Sequence, residues 1–171
     1  DIRSSIRVIY DYLNNPENKW ESPIGHIVDR DYACISTQDA SHNAIGVQIP
    51  ALQVWMILPY SEHLFRLIKL KTESQRKVHI NVLEFIAIFI GFIMFQKDQS
   101  ERPNTFPPHP TMLSLGDNMS ANSWARKLTT ESSMGQKALR LFAEYTKHSE
   151  VALSPDHIAG TENIVADGIS R

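Results

Sequence analysis

Four acidic residues in the 171-residue chain stand where a carboxylate could do chemistry: Asp39, Glu84, Asp117 and Asp167. Asp39 closes a short β-branched segment and Glu84 opens a long apolar one. Asp117 follows a second short apolar run, and Asp167 begins the closing segment. Their neighbours are apolar, so each carboxylate carries a desolvation cost unless a cation or a hydrogen-bond donor compensates it. Converging on one spot, the four would repel one another and raise each other's pKa unless divalent metal supplied the missing positive charge. An all-oxygen ligand set suits magnesium or manganese better than zinc. Taken singly, each has a plainer reading: Asp117 and Asp167 as turn formers or caps, Glu84 as a first-turn acid favoured by the helix dipole.

Positioning these groups needs a scaffold. Residues 32–38 and 44–49 read as strands joined across Ser41-His42-Asn43, with 52–58 as a third after Pro50, an antiparallel meander. Residues 63–79 fit a strand or a short helix and stay unassigned. Residues 81–95 run unbroken for longer than a strand normally does, so they read as helix. Apolar on nearly every side after Glu84, this helix is expected to lie centrally against the sheet. Residues 97–110, with Pro103, Pro107, Pro108 and Pro110, read as loop. A strand at 111–115 leads to Gly116-Asp117. A helix follows with Ala121, Trp124, Ala125 and Leu128 on one face and Asn118 or Ser120 as its cap. A second helix carries Ala138, Leu141, Phe142 and Tyr145. A last strand, kinked at Pro155, takes in 151–153 and 157–158, and Asn163 is expected to cap a closing helix. Trp55 and Trp124 fall on apolar faces and are expected in the core. The fold class is mixed α/β in the order β-β-β-α-β-α-α-β-α.

Ahead of this domain, residues 1–31 read as an adapter. Ile2, Ile6, Ile9, Tyr10 and Leu13 have helical spacing before Asn14, Asn15, Pro16 and Asn18 interrupt it, which predicts a linker helix packed on the domain of residues 32–171. The length suits about one domain, and 42% apolar with 21% charged residues excludes disorder, collagen and coiled coil. The single cysteine, Cys34, permits neither an internal disulfide nor a cysteine-based zinc site. The longest apolar run, 85–95, is too short to cross a bilayer, and nothing at Asp1 resembles a signal peptide, so no membrane role is expected. Localisation stays open. The start at Asp1 without Met suggests a piece of something longer. Seventeen basic against nineteen acidic residues leave a net charge of −2, so a nucleic-acid partner would need a local patch. Arg66, Lys69, Lys71, Arg76 and Lys77 could form one, together with Arg126 and Lys127, although a solvated face explains them as well. No Gly-rich phosphate loop, nucleophile elbow or His-Glu-x-x-His pair is present. The sequon Asn118-Met119-Ser120 reads as a chance match.

The residues around the acids are more specific. Gln-Asp-Ala-Ser at 38–41, Ile-Asn-Val-Leu-Glu at 80–84, Gly-Asp-Asn at 116–118 and His-Ile-Ala-Gly-Thr-Glu-Asn-Ile-Val-Ala-Asp-Gly-Ile-Ser-Arg at 157–171 resemble, in order, the motifs of ribonuclease H. More closely, they resemble the ribonuclease H domain of gypsy-type retroelement reverse transcriptases and their relatives. The pattern Asn163-x-x-Ala166-Asp167-x-x-Ser170-Arg171 is the most specific part, and His157 precedes Asp167 by the family's ten residues. The likeness covers residues 33–171. It implies a ribonuclease H-like fold, a five-stranded mixed sheet with helices on both faces.

The resemblance further implies that Asp39, Glu84, Asp117 and Asp167 bind two Mg2+ ions, with Mn2+ as a substitute, roughly 3.5 to 4 Å apart. The reaction would be endonucleolytic hydrolysis of the RNA strand of an RNA/DNA hybrid, leaving 5′-phosphate and 3′-hydroxyl ends. His157, expected on a Gly-containing loop, would shuttle a proton or aid product release. Asn81 would read the minor groove of the hybrid, and Ser41, Asn118, Arg66, Lys69 and Lys71 are the other expected substrate contacts. The implied partners are the hybrid and the rest of a reverse transcriptase polyprotein. Two positions depart from the pattern: Gln38 stands where Thr or Ser often precedes the first aspartate, and Val47 where relatives frequently carry Gly. The rival readings are a non-catalytic ribonuclease H-like scaffold or nucleic-acid clamp, and a related nuclease or transposase of the same superfold.

Overall fold

The computed structural model describes residues 31–68, 78–147 and 149–171, together with Ile6, Arg7, Tyr10 and Asn14. The last four have helical backbone, and Asn14 Nδ2 donates to Tyr10 O across one turn (2.7 Å). Ile6 and Tyr10, two of the residues expected to pack on the domain, are exposed. The rest of the adapter up to residue 30, and Lys69, Lys71, Arg76 and Lys77 of the basic stretch, lie outside the described residues.

Five strands form one sheet: β1 (Tyr32–Ala40), β2 (Ala44–Ile49), β3 (Val54–Pro59), β4 (Thr111–Gly116) and β5 (Ala152–His157), in the order β3-β2-β1-β4-β5. The β1–β2 and β2–β3 pairs are antiparallel, whereas β1–β4 and β4–β5 are parallel. Five helices accompany them among the described residues: α1 (Glu62–Ile68), α2 (Ile80–Glu101), α3 (Met119–Lys127), α4 (Ser133–Thr146) and α5 (Ile164–Ser170). The protein is thus mixed α/β with a five-stranded mixed sheet.

Alternation along the strands shows which helix covers which face. Val47 meets α2 at Gly91, while its neighbour Gly46 meets the backbone of α5. Consequently α2 and α5 lie on opposite faces. At Gly91 the helix backbone lies close to β1, where a Cβ would be in van der Waals contact with Ser36 Oγ at 3.4 Å. Val82, Leu83, Phe85, Ile88, Phe92 and Phe95 of α2 are buried. On the side away from the sheet, Phe85, Phe89 and Phe92 meet Phe142 of α4 edge-on, with ring centroids 5.2–5.8 Å apart. Such enclosure explains a helix with no polar face. By length and composition α2 is also the one described helix that could cross a membrane, yet half of its apolar window is buried inside this fold.

Several expectations are corrected. The helix expected to end near residue 95 continues to Glu101, because Lys97–Glu101 and Asp98–Arg102 pair at i,i+4 and the first obstacle is Pro103. The unassigned stretch begins with α1. Residues 50–52 form a 3-10 turn closed by Gln53 in the left-handed region (φ 56°), so the third strand starts at Val54. Trp55, expected in the core, is 66% exposed. It sits on edge strand β3, paired with Gln48, and α5 is only about 10 Å long, too short to cover it. Trp124 does pack against the core. The last strand is continuous through Pro155, since β5 is an edge strand and proline's missing N–H is tolerated there.

The glycine that matters in β2 is Gly46, beside Val47. A Cβ on Gly46 would lie 2.6 Å from Ala166 O and 2.8 Å from Ser170 N, both rigid backbone atoms. Gly46→Ala is therefore expected to lift α5 from the sheet and to destabilise the protein by about 1–3 kcal/mol, as overpacking does. Urea denaturation measures it, and an unchanged midpoint would show that α5 is not seated as described.

Candidate metal centre

The carboxyl ends of β1 and β4 build the site. The last parallel pair is Thr37 with Leu115, so two residues further along each strand come Asp39 and Asp117, on one face and side by side. Beyond Thr37 the β1 backbone has no β4 partner, and the Ala40 amide donates to the Glu84 carboxylate instead. Glu84 was expected in the first turn of its helix. It lies in the second, because α2 starts at Ile80, where the His79 ring accepts from the Asn81 amide. Placed deeper, it is only 6% exposed, as is Asp39, and Asp117 is half-buried.

Ligand oxygens of Asp39, Glu84 and Asp117 all lie within 4.8 Å of one another. Burial first, then repulsion from Asp39 and Asp117, pushes the Glu84 carboxyl up to about 8, against the opposing Ala40 hydrogen bond. Burial likewise raises Asp39, aided by Asp117 and Asp167 and opposed by a hydrogen bond from Ser170 and the charge of Arg171. These three groups could hold a metal ion: their donors are all oxygen, two are buried, and a cation relieves the repulsion that burial magnifies.

Asp167 stands apart from the trio. It acts on Asp39 electrostatically, but Arg171 grips it through Nε, 2.8 Å from both carboxylate oxygens, and Nη2, 2.6 Å from Oδ1. The loop before α5 covers Asp117 closely, for a Cβ on Gly160 would be 3.1 Å from Asp117 Oδ2. Asn163 precedes α5 without capping it through its side chain. Its Nδ2 donates to Gln38 O instead (3.0 Å), tying the helix to β1.

The other expected contacts divide. Asn81 and Asn118 meet, Asn118 Nδ2 donating to Asn81 Oδ1 (3.0 Å) while Asn118 Oδ1 caps α3 at the Ala121 amide. Ser41 builds the β1–β2 turn, accepting from the Asn43 and Ala44 amides and donating to Ser170 O. His157 is exposed at the end of β5, in register with Gly116, as the last residue of the expected strand, and the Gly-containing loop begins after it. Arg66 is exposed and paired with Glu62, and Arg126 with Pro155 O and Asp156. Lys69 and Lys71 lie outside the described residues. Cys34 is buried, its thiol pushed up to about 12 by burial and then by Asp98, which makes it a poor nucleophile.

Sequence reasoning missed the hydrogen bonds behind the acids. Ser170 Oγ donates to Asp39 Oδ2 (2.5 Å), and Tyr60 Oη lies 3.1 Å from Ser41 O and 3.2 Å from Ala44 O. Asn122 Nδ2 donates to Gly116 O (2.8 Å). Of the donors Ser170, Tyr60 and Asn122, only Ser170 fell within a motif.

The raised carboxyls set a pH dependence. A folded pKa above the unfolded one means that the native state binds protons more tightly, so this contribution is fully present below pH 4.5 and is lost as pH rises through about 8. Each tenfold difference in proton affinity is worth about 1.4 kcal/mol. Glu84→Gln, neutral throughout, should gain stability relative to the natural chain between those two pH values. Urea denaturation in chelator reads the difference, and a flat difference would contradict the electrostatics assigned here.

No protein-family model matches the sequence, and no curated protein matches it. The chemistry of the carboxylate trio has to carry the functional reading.

Proposed function

We propose that the chain is a ribonuclease H-type endonuclease that hydrolyses the RNA strand of RNA/DNA hybrids, as part of a retroelement reverse transcriptase. The observation that carries this reading is the convergence of Asp39, Glu84 and Asp117, brought by β1, α2 and the end of β4 to within 4.8 Å. The three-strand antiparallel meander, the parallel β4 and β5 and the central helix α2 agree with a ribonuclease H-like fold. Three of the four motif acids are thus neighbours, and the fourth, Asp167, is paired with Arg171 instead.

Two divalent ions, Mg2+ or Mn2+ in its place, supply when bound an activated water and charge stabilisation of the departing 3′ oxygen. The protein's residues do the rest. Asp39, Glu84 and Asp117 bind from three rigid elements, and Glu84 is fixed by the most deeply packed helix. The paired amides of Asn81 and Asn118 start α2 and α3 within reach of the acids in sequence, suited to 2′-hydroxyl recognition in a minor groove. His157, exposed beside the β4 end, can exchange a proton with solvent.

One observation favours a second reading. Asp167 is neutralised by Arg171 rather than joined to the trio, as suits a non-catalytic ribonuclease H-like module that clamps nucleic acid.

A single assay separates the readings. Labelled RNA/DNA hybrid, duplex DNA and duplex RNA are incubated with the protein in Mg2+, with Asp39→Asn and Glu84→Gln as controls. Cutting of the hybrid alone, reduced more than about 100-fold in both variants, is expected, since even residues behind a metal ligand cost 10- to 100-fold. Binding without cutting would establish the clamp, and cutting of duplex DNA a related nuclease.

A further inference from the structure

We infer that Ser170 is a positioning residue for the candidate metal centre, its hydroxyl holding the Asp39 carboxylate in the orientation that joins Glu84 and Asp117. The inference rests on reading Asp39 as a metal ligand. Ser170 is wholly buried, and its Oγ lies 2.5 Å from Asp39 Oδ2 across 131 residues of sequence. A hydroxyl has one proton to give. Its other acceptor, Asp167 O, is farther away at 3.1 Å and uncharged, so the short contact to a carboxylate is the stronger claim on that proton.

The place of the hydroxyl is set without help from Asp39. Ser41 Oγ donates to Ser170 O at 2.5 Å, with Tyr60 Oη placed against Ser41 O behind it. Asn163 fixes the opposite end of α5 to Gln38 O, and Gly46 leaves room for the α5 backbone at Ala166 and Ser170. The donor is thus aimed by three contacts on parts of α5 other than the hydroxyl itself. Removing the hydroxyl should leave the helix seated and free only the carboxylate.

The choice of donor also fits the task. A lysine or arginine here would hold Asp39 equally well but would neutralise it, as Arg171 neutralises Asp167, and would compete with an incoming cation. A neutral hydroxyl orients the carboxylate and leaves its charge available. Groups placed behind metal ligands in this way typically contribute 10- to 100-fold in metal affinity.

The test is Mn2+ binding to the full chain, by calorimetry or electron paramagnetic resonance, with melting temperature recorded for each variant. Ser170→Ala is expected to weaken Mn2+ affinity about 10-fold or more and Ser170→Thr, which keeps the hydroxyl, to restore it. Phe106→Leu removes a ring contact with Phe95 at the far end of α2 and should lower the melting temperature while leaving affinity within about twofold of the natural chain, well short of the loss expected from removing a donor behind a ligand. Should Ser170→Ala fail to fold, Ser170→Cys, whose thiol is a weak donor, must show intermediate affinity. If the natural chain binds Mn2+ and the Ser170 variants bind equally well, the inference fails while the metal-site reading stands. Equal losses in Phe106→Leu and Ser170→Ala would reduce Ser170 to a contributor to stability alone and overturn the inference. Absence of Mn2+ binding by the natural chain would remove both together.

Discussion

Like charges brought together away from water are the constraint around which this protein is organised. Asp39, Glu84 and Asp117 share a space less than 5 Å across, and two of them are almost fully removed from solvent. Nothing about such a trio is self-assembling. Its members come from three elements that other forces fix: β1 and β4 by their parallel pairing, and α2 by burial of its aromatic and aliphatic side chains. A native state is stable by only about 5–15 kcal/mol, so repulsion of this kind persists only where packing elsewhere over-determines the backbone.

The character of α2 follows from that demand. A helix with one apolar face would lie on the sheet with its back to solvent and could tilt to relieve Glu84. This helix is gripped on both sides, by β1, β2 and β4 below and by α3 and α4 above. Three phenylalanines converge on Phe142, and at Gly91 the helix lies close enough to β1 that a Cβ would be in van der Waals contact with Ser36 and Val47. Apolarity that by length and composition would suit a membrane-spanning helix is here the signature of a helix enclosed by protein.

Legibility from sequence tracked how local the determining force was. The strand order and the helices after residue 80 were readable, as was Asn118 as one of two candidate caps, because alternation and helical spacing are local patterns, whereas α1 stayed unassigned. The exposure of Trp55 was not, since an apolar stripe on an edge strand is written like one in a core, and only the length of α5 decides between them. The same holds for Pro155: proline reads as a break until the strand is known to be outermost. The end of α2 was missed because four nearby prolines outweighed a helix-compatible run from Gln96 to Glu101. The partners of Ser170 and Asn163 were illegible for a stronger reason, as they lie more than a hundred residues away along the chain.

One short helix deals with two acids in opposite ways. Along α5, Asp167 is matched one turn later by Arg171, an ion pair built from helical spacing alone. Ser170, the residue before that arginine, reaches across to Asp39 with a donor that carries no charge. Charge is therefore cancelled at the more exposed of the two acids and preserved at the buried one, the reverse of what stability alone would favour. A chain selected only for a quiet interior would place the guanidinium at Asp39, or an apolar side chain in its stead. Keeping an uncancelled carboxylate in the drier position makes sense where a cation from outside is to complete the site.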